Sequence, residues 1–214
     1  MPPPVYTLLE TRLGQPQIIG THRSGPNKGR AFWSSIHRQP TNESLIYLTY
    51  IGLAGDTPTE TRPKTANEAA SSGPGLIHGG TDKALYVYPW GAHLPFWLDE
   101  LGDKGLADRS FGENLRIAGA TEHTVRIGDQ WVWGDARVEV CKPRTPCQTL
   151  ETYFGGNQQM IKRMTANGFC GWYLRVLQDG VVPTCGPIMV VHQALDAPTV
   201  AQAFAIKMGR PVPA

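Results

Sequence analysis

The sequence predicts a mainly β fold with a few short helices, and three observations carry that prediction. The chain has 24 glycines and 18 prolines, about a fifth of its 214 residues, where an average chain has roughly an eighth. Runs of β-forming residues are short and separated by turn signals rather than drawn out at helical spacing. Hydrophobic residues make up 41% of the chain and charged residues only 18%, enough apolar material for a core and too little charge for a disordered polymer. Many short strands must hide their edges, so a closed barrel or a sandwich follows. A formal charge of +2 gives no global reason to bind nucleic acid or a membrane surface. No apolar run reaches the ~18–20 residues of a membrane span. The segment Met1-Pro2-Pro3-Pro4-Val5-Tyr6 has neither the basic nor the apolar region of a secretory signal. A cytoplasmic protein is therefore expected.

Taken in order, Ile18-Ile19 is a short β-like run between turn residues, Ser24 to Gly29 a loop, and Leu45 to Tyr50 a strand. Gly52 to Gly75 is a long polar loop with three prolines, a length that marks function or disorder. Leu85 to Tyr88 predicts a buried strand. Leu94, Trp97, Leu98 and Leu101 mark one face of a helix within 89–101, with Gly102 to end it and Pro95 arguing for a late start or a kink. Gly128-Asp129 and Gly134-Asp135 separate three β-like runs between Val125 and Val140, which predicts consecutive hairpins. Helical spacing returns over 157–167, with Gly168 as cap. Strands are expected over 172–177 and 186–191, and a C-terminal helix over 197–208. Trp131, Trp133 and Trp172 are expected in the core. Cys141, Cys147, Cys170 and Cys185 form no C-x-x-C pair, so free thiols, mostly packed, are expected rather than a zinc or redox motif.

Three segments could carry chemistry. Cys141-Lys142-Pro143-Arg144-Thr145-Pro146-Cys147 follows a predicted strand, and two prolines stiffen it. A cation beside a thiol favours the thiolate, the form that attacks or binds metal; the plainer reading is a packed cysteine among solvated cations. His78-Gly79-Gly80-Thr81-Asp82-Lys83 combines glycines that allow close backbone approach with a lysine that could hold an anion; the plainer reading is a turn before a strand. Phe111-Gly112-Glu113-Asn114-Leu115 offers Glu113 as acid or base and Asn114 as a donor; glycine before two polar residues is also ordinary turn chemistry. The six histidines lack zinc spacing, and no Gly-x-Ser-x-Gly, P-loop or dinucleotide-binding pattern occurs.

Together with Gly52-Leu53-Ala54-Gly55-Asp56 and Ile127-Gly128-Asp129, these segments stand in an order that resembles the MOSC domain, the C-terminal module of molybdenum cofactor sulfurases, and within it the YiiM-like stand-alone branch. The resemblance covers about residues 5–192. It implies a Greek-key β-barrel with inserted helices over 1–192. Residues 193–214 would be a short helical tail, the remnant of a small helical domain often found in that branch. It also implies a molybdenum–pterin cofactor with Cys147 as the metal thiolate. His78, Gly79, Gly80, Asp82, Lys83 and Arg144 would bind the cofactor, and Glu113 and Asn114 would sit at the catalytic or substrate pocket. The implied activity is reduction of N-hydroxylated bases or amines of the hydroxylaminopurine type, a small-molecule substrate, with electrons from a separate flavin- or haem-type donor. No nucleic-acid or membrane partner is implied. Pyridoxal phosphate, used by a separate domain of the sulfurases, is not expected. The loop before His78 is longer than in the branch.

Two other functions fit the same cysteine. One is a carrier of cofactor, or of sulfur as a persulfide on Cys147; the other is a barrel with a vestigial pocket and an unreactive Cys147.

Overall fold

The computed structural model describes residues 4–21, 28–57, 80–106, 109–156 and 159–213. Most of the long loop, with His78 and Gly79, thus lies outside the described residues, as does the loop at 24–27. Seven strands close into a barrel: β1 (Val5–Leu13), β7 (Leu85–Tyr88), β8 (Leu115–Ala118), β9 (Gln130–Trp133), β10 (Ala136–Pro143), β11 (Trp172–Gln178) and β13 (Gly186–His192). Their order is β13-β9-β10-β11-β7-β8-β1, and β1 pairs back to β13. Closure leaves the sheet without a free edge. The partial order β13-β9-β10-β11 is a Greek key, three consecutive antiparallel strands with a fourth returning beside the first. Smaller sheets flank the barrel: the hairpin β2 (Gln17–Thr21) and β3 (Ala31–Ser34), and the trio β12 (Gly180–Pro183), β5 (Leu45–Thr49) and β6 (Gly52–Leu53). The two-residue β4 (Gln39–Pro40) extends β1.

Alternation along the strands fills the interior. Tyr6 and Leu8 of β1, Trp131 and Trp133 of β9, Val138 and Val140 of β10, Trp172 and Leu174 of β11, and Ile188 and Val190 of β13 all point into one buried cluster. Each such side chain contributes about 1.5–3 kcal/mol by leaving water. The expected tryptophan core is present, with Trp131 packed edge-on against both Tyr6 and Trp172.

β7 and β8 are the parallel pair, and parallel neighbours need a crossover. It is supplied by helix α1 (Trp90–Leu101) and the short α2 (Asp103–Leu106). α1 starts at Trp90, so Pro95 does not delay it but sits inside. Its buried face is His93 and Trp97, flanked by Leu94 and Leu101, while Leu98 faces outward. α1 covers the outer face of β7. That strand is consequently buried on both sides: Leu85 and Val87 belong to the barrel interior, Tyr86 and Tyr88 to a second core with Trp97, Phe111, Leu150 and Met164. Helices α3 (Gln148–Tyr153) and α4 (Met160–Asn167) close this second core, and Gly168 caps α4 in the left-handed conformation as its position predicts.

Two expectations are corrected. Residues 125–127 form no strand of a first hairpin; Arg126 makes an isolated bridge to Thr199. The buried Asp129 carboxylate accepts the N–H groups of Arg126 and Ala194, both at 2.9 Å, so this turn ties down the chain before the last helix. That helix, α5 (Val200–Lys207), begins three residues later than its periodicity suggests, because Thr199 and Gln202 form a reciprocal capping box. Val200 and Phe204 of α5 join the buried cluster of the barrel. The four cysteines are free thiols; Cys170 is buried, but Cys185 is exposed rather than packed. Among the described residues no helix is long and apolar enough to cross a membrane.

Candidate functional site

Strand β10 ends at Pro143, and the chain crosses from the barrel to α3 over residues 144–147. Arg144 N–H donates to the Gly171 carbonyl at 3.1 Å, which anchors the crossing to the start of β11. The Arg144 side chain turns inward and is only 4% exposed. Its guanidinium lies over the Tyr86 ring, 5.4 Å from the centroid. One terminal nitrogen is 3.6 Å from Met164 Sδ and the other 3.9 Å from Cys147 Sγ. Both are long, soft contacts, and among the described residues no carboxylate forms a hydrogen bond or ion pair with this guanidinium. A buried cation is costly without an anionic partner, so the arrangement is complete only when an anion is present, either the Cys147 thiolate or a ligand.

Cys147 is half-buried and ends the crossing as the residue before α3. Burial works against ionisation of its thiol, but the Arg144 charge, with donors at Leu150 and Thr149, outweighs it and holds the group below its ordinary value. The contrast within the chain is large. Burial pushes Cys141 up to about 11 in spite of Arg175 and Lys142, and pushes Cys170 well above the usual range. Lys142 does not act on Cys147 as expected, since it pairs with Asp82.

Cys147 and Arg144 line a cavity of about 220 Å³ with Tyr86, Tyr173, Lys83, Phe111 and Asn114. The cavity is also lined by an ion pair absent from the sequence expectations. Asp56 Oδ1 accepts from Gly14 N–H (2.8 Å) and Arg38 Nε (3.0 Å); Oδ2 accepts from Arg38 (2.8 Å) and Asn114 Nδ2 (3.0 Å). All of the carboxylate's hydrogen-bonding capacity is used, which leaves it poorly placed to act as a base. The remaining Arg38 nitrogen donates to the Gly112 carbonyl at 2.6 Å. Gly112 has φ +91, and a Cβ there would press on Ile36 at 3.2 Å, so the close approach needs glycine.

The structure thus brings Cys147, Arg144, Lys83 and Asn114 to one cavity. Asn114 is bound on all sides: its Oδ1 accepts from Tyr86 N–H (3.1 Å) while Nδ2 holds Asp56. It pins β7 to the ion pair. Glu113 points elsewhere. It is fully buried and accepts from Ser110 Oγ (2.9 Å), Phe111 N–H (2.6 Å) and Arg116 Nε (2.6 Å), and it does not line the cavity. Asp82 and Gly80 are also outside the lining, although Gly80, at φ 92, begins the 3-10 turn Thr81–Lys83 that presents Lys83. His78 and Gly79 lie outside the described residues. The sequence carried Asp56 only as part of a motif and gave no signal for Arg38, an arginine in an irregular segment, or for Tyr86 and Tyr173, which look like ordinary strand residues. Among the described residues no group of three or more His, Cys, Asp or Glu could hold a metal ion.

The MOSC domain family model matches residues 74–190. Protein YiiM of Escherichia coli (strain K12) is 33% identical over 168 residues, covering 78% of this chain and 67% of that protein. The uncharacterized protein YflK of Bacillus subtilis (strain 168) is 34% identical over 177 residues, covering 83% and 69%. The crystal structure of YiiM from Geobacillus stearothermophilus superposes with a TM-score of 0.66 at 25% identity, over 95% of this chain and 84% of that one. The chain belongs to the MOSC domain family, associated with the molybdenum cofactor, and is YiiM-like.

Proposed function

We propose that the protein is an oxidoreductase that binds a molybdenum–pterin cofactor and reduces N-hydroxylated bases or amines. The observation that carries this reading is the placement of Cys147 Sγ on the cavity, 3.9 Å from a buried arginine that has no carboxylate partner among the described residues. The donor set fits the cofactor: a soft thiolate suits a molybdenum centre. Arg144 and Lys83 suit anionic phosphate and dithiolene groups, and the Asp56 carboxylate on the cavity is neutralised by Arg38. In this reading Cys147 ligates the metal, Arg144 and Lys83 hold anionic parts, and the described residues Gly80 and Asp82 support the turn that carries Lys83. The bound cofactor would supply a two-electron centre.

The overall change takes R–NH–OH, two electrons and two protons to R–NH2 and water; the N–O bond breaks, and N–H and O–H bonds form. The electrons come from a separate flavin- or haem-type protein. The protons need donors that stay protonated at neutral pH. Tyr173 lines the cavity; burial raises its hydroxyl pKa and weakens it as an acid, while the charge and hydrogen bond of Arg144 pull the other way and favour donation. Lys83 is a second donor on the same cavity.

The test is turnover of a hydroxylaminopurine by cofactor-loaded protein with a chemical reductant. Activity lost in Cys147→Ala supports the reading; equal turnover in both proteins overturns it. Cyanide-labile sulfur on Cys147, without molybdenum in protein from a cofactor-making host, would point instead to a sulfur carrier.

A further inference from the structure

We propose that Glu122 is a positioning residue for the site: through Gly171 it fixes the chain that sets Arg144 against Cys147. The proposal rests on the reading of Cys147 as the working thiol. Glu122 lies behind the cavity, 2% exposed, in the turn after β8. Its carboxylate is divided between two partners. Oε2 meets His93 Nε2 of α1 at 2.7 Å, and Oε1 accepts the Gly171 N–H at 2.8 Å. The Gly171 carbonyl in turn accepts Arg144 N–H at 3.1 Å and lies 3.2 Å from Cys170 Sγ. A single residue, Gly171, therefore separates a buried carboxylate from the backbone of the arginine that faces Cys147.

The link is stiff at each joint. Gly171 has φ +63, and a Cβ on it would fall 2.2 Å from the Val87 carbonyl, so only glycine fits this close to β7. His93 is held by stacking on Phe169, centroids 3.8 Å apart, two residues before Gly171. The neighbouring carbonyl, that of Cys170, accepts the Tyr86 hydroxyl at 2.9 Å, and Tyr86 is the ring beneath Arg144. The Glu122 backbone carbonyl also accepts Ala201 N–H of α5 at 2.8 Å, so the same residue ties the C-terminal helix to the loop of the site. None of these groups lines the cavity except Tyr86 and Arg144. A carboxylate so deeply buried costs stability unless its bonds are all made, and two of its bonds converge on the frame of the site.

Charge and position make opposite demands, which allows a test. A negative Glu122 disfavours a nearby thiolate, so if its charge alone mattered, removing it would speed alkylation of Cys147. If Glu122 acts by position, removing its reach to Gly171 lets Arg144 drift and slows alkylation. The full-length protein is treated with iodoacetamide at pH 7 and each cysteine is followed by peptide mass spectrometry. Exposed Cys185 is the internal standard, and buried Cys170 reports loss of fold. Glu122→Ala and the milder Glu122→Asp, one methylene too short, are each expected to slow Cys147 about tenfold. Glu122→Gln keeps an acceptor for Gly171 N–H and is expected to stay within about twofold of the parent. Parent-like or faster rates in the Ala and Asp variants overturn the proposal, as does a Gln variant as slow as Ala. If Cys170 becomes reactive in the Ala variant, the Asp variant decides. Should Cys147 of the parent protein react no faster when Arg144 is present than in Arg144→Ala, the reading of the site fails instead, and the two failures are distinct.

Discussion

Arg144 faces Cys147 Sγ at 3.9 Å from within the protein, with the Tyr86 ring, the Met164 thioether and the Tyr173 hydroxyl among its other neighbours. The thiolate is thus the natural counter-ion of a cation that meets no carboxylate among the described residues. Removing the cation as Arg144→Ala should raise the Cys147 pKa and lower its alkylation rate at pH 7 by about tenfold or more. Arg144→Lys, a charge without the planar fork, should recover only part of the rate.

The same cation should burden the fold when nothing anionic is bound. The double change Arg144→Met with Cys147→Ala removes both partners, and replacing a buried ion pair by apolar groups is often neutral or stabilising by about 1–4 kcal/mol. A raised midpoint of thermal unfolding, together with loss of anion or cofactor affinity, is the expected outcome. A lower midpoint would show that the pair contributes net stability.

Asp56 behaves in the opposite sense. Its carboxylate is the only anion opposite Arg38 among their described contacts and accepts four donors. Asp56→Ala leaves Arg38, Asn114 and the Gly14 N–H without their acceptor, and breaking a buried pair in this way costs about 3–5 kcal/mol. Chemical denaturation should read this loss directly.

Proton linkage gives a further check. The Cys147 thiol is lowered in the folded protein from an ordinary value of 9.0, so the unfolded chain holds this proton to higher pH. Its contribution to stability is full above the unfolded value and is lost as pH falls through the folded one. The stability advantage of the parent over Cys147→Ser should therefore grow as pH is raised toward 9, measured as the denaturation midpoint at successive pH values. Cys141, raised to about 11, acts the other way above pH 9 but is common to both proteins and cancels in the difference.

Thr199 closes the capping box at the head of α5. Thr199→Ala should cost about 0.5–2 kcal/mol. Because Glu122 accepts from Ala201 in that first turn, amide exchange should quicken there before it does in the barrel strands.

Much of the barrel was legible because β periodicity and turn chemistry act locally. Leu85 to Tyr88 and the Gly134-Asp135 hairpin fall where their residues put them. The run 125–127 did not, because its backbone partner is Thr199, some seventy residues away, and no local pattern encodes that bridge. The site divides in the same way. Cys147 and Arg144 share a stiff proline-framed segment and could be paired by eye. Arg38 and Asp56 meet only through the fold, and Glu113, polar and beside a glycine, gave no sign that Arg116 and two local donors would occupy it.

The double burial of β7 has a consequence for anyone who would reshape the pocket. Leu85 and Val87 on one side and Tyr86 and Tyr88 on the other make this strand a party wall between two rooms, and neither room can be enlarged there without intruding on the other. Changes of ligand preference are better sought where Trp33 of the hairpin and Ile51 border the cavity yet remain largely exposed. The pocket therefore has one side fixed by the architecture and one side open to redesign.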